Sequence, residues 1–262
     1  SLTKAEKRYF KMFTSLQSGE KGYLKLFEAI EKSEHYNEEK IKKMFAGEDF
    51  IKRLPAVKNY LYNQILKSLR IIYSGNTAES ELREIMEDVS NLYEKRLYKQ
   101  CAKILDKAKE LANKNEFFLQ LIEINSWKEK ILIELLTLDK YEAIIDKHLE
   151  EEINLIESQK NIARYRSLYN KMILINRKIK EARSEEELKQ FQSIIEHPLL
   201  KSIDTAYTFE AKNYFYRIHL IYNHAKGDNE ASFVIADSQL KLIESYPEKI
   251  KEKPQLYITA LN

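Results

Sequence analysis

Turn-makers are nearly missing from this chain: its 262 residues hold five glycines and four prolines. A sheet protein of that length needs frequent turns, and glycine and proline build many of them. The apolar spacing is helical almost throughout, so an all-α protein is expected. Cysteine is scarcer still. Cys101 stands alone, which excludes an intramolecular disulfide framework or a cysteine-based zinc site. It favours a reducing compartment, and a cytoplasmic location is expected. Long apolar runs are missing as well. None approaches the roughly 18 residues that span a bilayer, so no membrane association is expected, and no secretory signal is seen. The chain begins at Ser1 rather than Met, which leaves room for an upstream segment.

Recognisable catalytic chemistry is also lacking. There is no Gly-rich phosphate loop, no HExxH and no GxSxG. The five histidines are scattered, and His219 and His224 lie five apart, the wrong spacing for one helical face. His148 and Glu152, at i and i+4, have the spacing for a surface metal but read first as a solvated pair. Cys101 falls at a small-residue core position rather than a nucleophile's. The expectation is a non-enzymatic protein with no cofactor and no metal.

Charge is abundant but nearly balanced, at +3 overall, and it becomes informative only when localised. Residues 1–75 hold fifteen Lys and Arg against nine Asp and Glu, a strongly basic block. With the Ser-Gly-Asn at 74–76, this places a boundary between an N-terminal helical block (1–75) and an array (76–262). Four helices are expected in the block. Thr3 and Glu6 have capping-box spacing, with Tyr9, Phe10, Phe13 and Leu16 on one face. Gly19 and Gly22 interrupt, and Tyr23, Leu24, Phe27 and Ile30 mark the next helix. Asn37 caps a short third that Gly47 ends. The fourth carries Leu54, Val57, Leu61, Ile65, Leu69 and Ile72, with Pro55 confined to its first turn.

From Thr77 the pattern becomes long helices in antiparallel pairs. Residues 85–111 read as two helices meeting near Arg96. The second pair spans 116–137 and 140–158, with a corner at Leu138-Asp139 and capping-box spacing at Asp139 and Glu142. The third spans 160–182 and 185–195, capped by Ser184 and Glu187 and stopped at His197-Pro198. The fourth spans 205–226 and 229–245, hinged at Gly227-Asp228 and closed by Pro247. A last helix after Pro254 reaches Asn262, beyond which the array is expected to continue.

In RLYKQCAKILDKAKEL, Tyr98, Cys101, Leu105 and Ala108 resemble the aromatic, small, large and small positions of a tetratricopeptide second helix. LDKYEAIIDKHL repeats the corner with Tyr141 and Ala143, and AKGDNEASFVIADSQLKLIESYP does so again. The resemblance covers about residues 80–262. It departs from the family in period, because Tyr98 to Tyr141 is 43 residues against the usual ~34. The N-terminal block, with KNYLYNQILKSLR, also looks like tetratricopeptide-like bacterial proteins of no known activity. The resemblance implies an α–α superhelix of stacked antiparallel hairpins. It also implies a concave groove lined by first helices, which would bind a protein or peptide partner. A lone hairpin cannot bury both apolar faces, so neighbours must stack. Small residues such as Cys101 and Ala108 permit close approach, and aromatics such as Tyr98 and Tyr141 fill gaps.

The sharpest charge feature is KNIARYRSLYNKMILINRKIKEAR, residues 160–183, with eight basic residues and one acid. Tyr165, Leu168, Met172, Ile175 and Ile179 form its buried arc. Lys160, Arg164, Lys171 and Lys178 line one flank, and Arg166, Arg177 and Lys180 the other. The preceding stretch carries Asp146, Glu150, Glu151, Glu152 and Glu157. Side-by-side packing would let the two helices neutralise each other. A flank turned to the concave surface would instead grip an acidic or mixed peptide through Arg166, Asn170 and Arg177. By the same analogy Arg83, Tyr93 and Glu94 face the groove from the first pair, and Tyr214, Arg217 and His224 from the last. The alternative is nucleic-acid binding by the basic block through Lys52, Asn59, Asn63, Lys67 and Arg70, set on one face of its long helix. The solenoid would then be a regulatory or dimerising arm. Glu28, Glu31, Glu34, Glu38 and Glu39 argue against it, because they repel phosphates. Self-assembly through the helical end at Asn262 is a third reading.

Overall fold

The computed structural model describes residues 2–15, 22–33, 35–73, 77–179 and 182–261. Leu16, Gly19, Glu34, the 74–76 stretch and Lys180 lie outside the described residues. Among those described there are fourteen α-helices, two short 3-10 helices and no strand. The chain divides into two units, Ser1–Asn76 and Thr77–Asn262.

The first unit contains five helices rather than four: α1 (Lys4–Ser15), α2 (Gly22–Glu31), α3 (Glu38–Met44), α4 (Asp49–Lys52) and α5 (Leu54–Ile72). Thr3 and Glu6 form the reciprocal cap. The Thr3 amide donates to Glu6 Oε2 at 2.6 Å and the Glu6 amide to Thr3 Oγ1 at 3.2 Å. Asn37 Oδ1 accepts from the Lys40 amide at 3.0 Å, and Pro55 occupies the first turn of α5. Gly22 is needed for proximity. A Cβ there would stand 2.8 Å from Phe50 Cβ. Phe10, Leu26, Phe27, Ile41, Leu54 and Leu61 make the core, and the Phe10 and Phe27 rings pack with centroids 4.6 Å apart.

The second unit begins with α6 (Ala78–Glu94), α7 (Tyr98–Lys114) and α8 (Phe118–Leu135). Successive corners repeat one device. Arg96 takes φ 59° and Glu116 φ 50°, both left-handed. After each, an amide reaches back five residues: Leu97 to Leu92 O at 3.0 Å, and Phe117 to Ala112 O at 2.9 Å. This closes the free carbonyls of the helix end. Cys101, Leu105, Ala108 and Ala112 of α7 are buried against Leu82, Met86 and Val89 of α6 and Leu121, Ile124 and Ile131 of α8.

The next helix overturns the expected pairing. Residues 138–179 form one continuous helix, α9 (Leu138–Ile179, 42 residues), with no break at 158–160. The expected second member of pair two and first member of pair three are therefore the same helix. The preceding corner lies at Leu136 and Thr137, so Asp139 is already in the first turn. The stretch LIESQKNIARY offers neither glycine nor proline, so nothing stops the ladder of backbone bonds. The N-terminal half of α9 packs on α8 through Leu155 and His148. Its C-terminal half supplies Ile162, Tyr165, Leu168 and Met172 to a second core.

That second core is completed by α10 (Glu185–Ile195), 3-10 helices at Pro198–Leu200 and Ile203–Thr205, and α11 (Phe209–Lys226). Beyond it lie α12 (Asn229–Glu244), α13 (Pro247–Glu252) and α14 (Pro254–Leu261). Ser184 Oγ accepts from the Glu187 amide at 3.2 Å. Gly227, at φ 76°, ends α11, and Asp228 caps α12 by accepting from the Ala231 amide at 3.1 Å. α11 begins at Phe209 rather than at 205, with Thr208 Oγ1 accepting from the Ala211 amide as its cap. Asn161 fixes the register of α11 on α9: its Nδ2 donates to Thr205 O at 2.9 Å and its Oδ1 accepts from the Tyr207 amide at 3.2 Å. At the other end, the Ala182 amide donates to Ala225 O at 3.3 Å. The second half of α9 and α11 thus run parallel.

Where the two cores meet, α13 clasps the corners of the first. The Ala78 amide, at the start of α6, donates to Glu252 Oε1 at 2.7 Å, and Lys114 pairs with Glu248 at 3.2 Å. Lys249 Nζ donates to Asn115 O and lies 5.6 Å and 5.8 Å from the Phe117 and Phe209 ring centroids. Burial holds this ammonium below its ordinary pKa. The Glu116 carboxylate accepts from the Phe209 amide at 3.0 Å, and its pKa is raised, chiefly by burial.

Candidate functional site

The parallel run of α9 and α11 leaves a cleft that α14 closes from the side. It is a cavity of about 710 Å³. Tyr169 and Ile173 line it from α9, Asn213, Arg217, Leu220 and Ile221 from α11, and Gln239 from α12. Glu252, Lys253, Pro254, Gln255, Leu256, Thr259 and Ala260 form the far wall, with Glu252 already accepting from the Ala78 amide. The floor holds a buried amide pair, with Gln239 Nε2 donating to Asn213 Oδ1 at 2.7 Å. This pairing gives a donor of one buried amide and an acceptor of the other a partner.

The rim is cationic and aromatic. The Arg217 guanidinium lies 4.4 Å from the centroid of the Tyr169 ring, and Tyr169 packs on Tyr214 with centroids 5.2 Å apart. Stacking on Tyr169 holds the guanidinium in place while leaving its donors free to act. Tyr214 Oη donates to Glu210 Oε1 at 3.3 Å. Burial first, and Glu210 second, push the Tyr214 phenol above its ordinary pKa, with Arg166 and Arg217 pulling the other way. Arg166, Asn170 and Arg177 are exposed. Their spacings of four and seven put them on the side of α9 that carries Tyr169 and Ile173. Among the described residues, no ion pair involves Arg166, Arg177 or Arg217. The acidic helix that would have neutralised this flank is the same helix, further along.

The expected groove residues do not all meet. Of these only Arg217 lines the cavity. Tyr214 packs on the lining Tyr169, and Arg166 lies near enough to Tyr214 to act on its phenol. Asn170 follows one turn on from Arg166, and Arg177 and His224 lie further along the two helices toward the Ala182–Ala225 end. Arg83 lines a separate cavity of about 330 Å³ between α6 and α8, with Glu79, Glu87 and Glu123 for company. Tyr93 is packing: its ring lies 5.3 Å from Tyr98 and 5.4 Å from Trp127. Glu94 is exposed at the last turn of α6. Tyr169 and the Asn213–Gln239 pair escaped the sequence reading. Only Tyr169 left a local trace, three residues from Arg166.

In the first unit, Lys52 is not on the long helix: it belongs to α4 and pairs with Asp49 at 2.8 Å. Asn59, Asn63, Lys67 and Arg70 are exposed on α5. Elsewhere in the unit, acids engage the lysines. Glu31 pairs with Lys7 and Lys11, Glu48 with Lys25, and Glu38 with Lys42 and Lys58. The bonds from Lys58, Lys42 and Tyr36 bring the Glu38 carboxyl down to about 2.

His148 and His219 are structural. His148 is not a solvated partner of Glu152; it is buried. Its Nε2 contacts Asn125 O at 3.1 Å while Asn125 Nδ2 donates to His148 O at 3.4 Å. His219 Nε2 contacts Leu200 O at 3.0 Å, and burial lowers its pKa. The buried Cys101 thiol points to Val89 O at 3.6 Å, and burial raises its pKa, away from a thiolate's reactivity. Among the described residues no group of metal-ligating side chains gathers, and no helix is long and apolar enough to cross a membrane. No family model, curated protein or solved structure matches the chain.

Proposed function

We propose that this chain is a non-enzymatic interaction scaffold of the tetratricopeptide-like kind. In this reading it holds an acidic peptide segment of a partner protein in the cleft between α9, α11 and α14. The supporting observation is the cationic rim: Arg166, Arg177 and Arg217 lie along two parallel helices with no ion pair among the described residues, on the side that carries Tyr169 and Tyr214. Arginine and tyrosine anchor interfaces well because they bring large area and directional bonds. The apolar walls, Ile173, Leu220, Ile221 and Leu256, take a side chain, and the guanidinium groups take carboxylates. Two corners with the same left-handed closure, around α7, support repeated hairpins in the first core. The unbroken α9 departs from such an array and separates the Arg83 cavity from the cleft.

The test is fluorescence anisotropy with a labelled hexaglutamate peptide containing one central leucine. Each charge-assisted bond contributes about 1.5–3 kcal/mol, so Arg166→Glu with Arg217→Glu should weaken binding at least ~10-fold. Peptide binding unchanged in that variant, or no binding by the wild type, rejects the reading. A pull-down from the native cell with the Arg166→Glu, Arg177→Glu variant then seeks the partner. The nucleic-acid alternative draws less support, since six lysines of the first unit are engaged by acids. A mobility shift at low salt, where phosphate contacts are strongest, checks it.

A further inference from the structure

The N-terminal half of α9 has two apolar faces, and only one is covered. Ile144, His148 and Leu155 turn toward α7 and α8. Leu138, Ile145, Leu149, Ile153 and Ile156 follow one another at spacings of seven, four, four and three, a stripe beside the covered face, while Tyr141 Oη donates to Glu129 Oε1 of α8 at 3.3 Å and belongs to the covered side. Leu138 is 85% exposed, Ile153 59%, Ile156 46% and Leu149 43%. Isolated exposed apolar residues are ordinary, but a continuous stripe marks a contact surface. In the C-terminal half the same side carries small residues, Ala163 and Ser167, and then Leu174, 59% exposed.

Charge is divided in the same way. Beside the stripe in the first half run Glu142 and Asp146. Beside it in the second half run Arg164, Lys171 and Lys178. All five are exposed. Turned end for end, the helix is therefore complementary to itself in size and in sign. We propose that a second copy of this chain docks along this face, the two α9 helices antiparallel about a two-fold axis between Glu157 and Lys160. Ile153 then packs over Ala163 of the other copy and Leu149 over Ser167, while Asp146 faces Lys171. The seam from Leu138 to Leu174 is about 54 Å long at 1.5 Å per residue. A two-fold contact closes on itself, so the assembly stops at two. Arg166 and Arg177 lie on the opposite flank, so this docking leaves the cleft open and does not depend on its occupant.

Sedimentation of the full chain from about 1 to 100 µM tests this, on the scale of ordinary dimer affinities. The expected mass is twice 31.1 kDa. Ile153→Glu should give a monomer with wild-type circular dichroism, because its target is exposed. Asp146→Lys or Lys171→Asp alone should weaken the dimer at least ~10-fold, and the two together should restore it. Under oxidation, Lys160→Cys near the axis should link to its counterpart, and Ser167→Cys should not. A wild-type monomer at the highest concentration overturns the proposal. So does a dimer indifferent to Ile153→Glu, failed restoration by the charge swap, or equal cross-linking at 160 and 167.

Discussion

Asn161 sits where α9 leaves the first core and enters the second, and replacing it tests whether the continuous helix couples them. It is almost fully buried and holds both Thr205 O and the Tyr207 amide. Asn161→Ala removes both bonds and leaves a donor and an acceptor without partners. Each bond is worth about 1 kcal/mol net, and each orphaned group adds desolvation, so the cost is about 2–3 kcal/mol. With a urea m-value of about 2–3 kcal/mol/M, the midpoint falls by about 1 M. The reporter is built in. Trp127, the single tryptophan, lies in α8 against Tyr93 of the first core, away from the mutated contacts. If α9 and the clasp at Glu116 and Lys249 make the cores one cooperative unit, Trp127 fluorescence shifts by that full amount. If its midpoint stays put while helical circular dichroism is lost early, the cores unfold independently and the coupling argument fails.

His219 gives a pH prediction. Burial lowers its folded pKa, so below about pH 6.5 the unfolded chain takes up a proton that the folded one resists. Stability should fall as pH drops from 7 toward 5, by at most about 1.4 kcal/mol per unit, and His219→Gln should flatten that slope in chemical denaturation. Arg96 gives another. A left-handed φ costs a side-chain-bearing residue about 1–2 kcal/mol. Against the extra freedom glycine has when unfolded, Arg96→Gly should gain about 0.5–1 kcal/mol by calorimetry. Gly227→Ala, at φ 76° with open space around its Cβ, should lose about 1 kcal/mol for the same reason.

Local grammar was legible wherever a cap or breaker carried it. Thr3 with Glu6, Asn37, Ser184 and the Gly227-Asp228 hinge all close helices where their side-chain chemistry places them. The corner near Arg96 and the break between 111 and 116 were both legible, but the left-handed backbone at Arg96 and Glu116 was not, because neither an arginine nor a glutamate there carries a compositional signal. The missed continuity of α9 has a physical cause. Its covered face moves from Ile144, His148 and Leu155 to Tyr165, Leu168 and Met172, since α8 and α11 approach it from different directions. A change of face together with a change of charge sign imitates a helix boundary. The Asn213–Gln239 pair and the α14 wall join residues far apart in sequence, and nothing local announces them.

The unbroken α9 also decides what its charges can do. Packed side by side, an acidic and a basic helix would cancel within a few ångströms. Laid end to end, Asp146 and Lys171 are separated by about 37 Å at 1.5 Å per residue. That is several Debye lengths at physiological salt, so they scarcely feel each other. Arg177 and Lys178 in the last turn suit the helix dipole, but that effect fades within one turn and cannot explain Arg164, Arg166 or Lys171. In the two proposed associations the segregated charges have counterparts outside the helix, an acidic segment on one flank and another α9 on the other. Both associations should weaken as salt rises from about 50 to 500 mM, whereas fold stability, which rests on the three apolar cores, should change little. Peptide affinity and dimer mass that are both indifferent to salt would mean that the charge division serves neither contact.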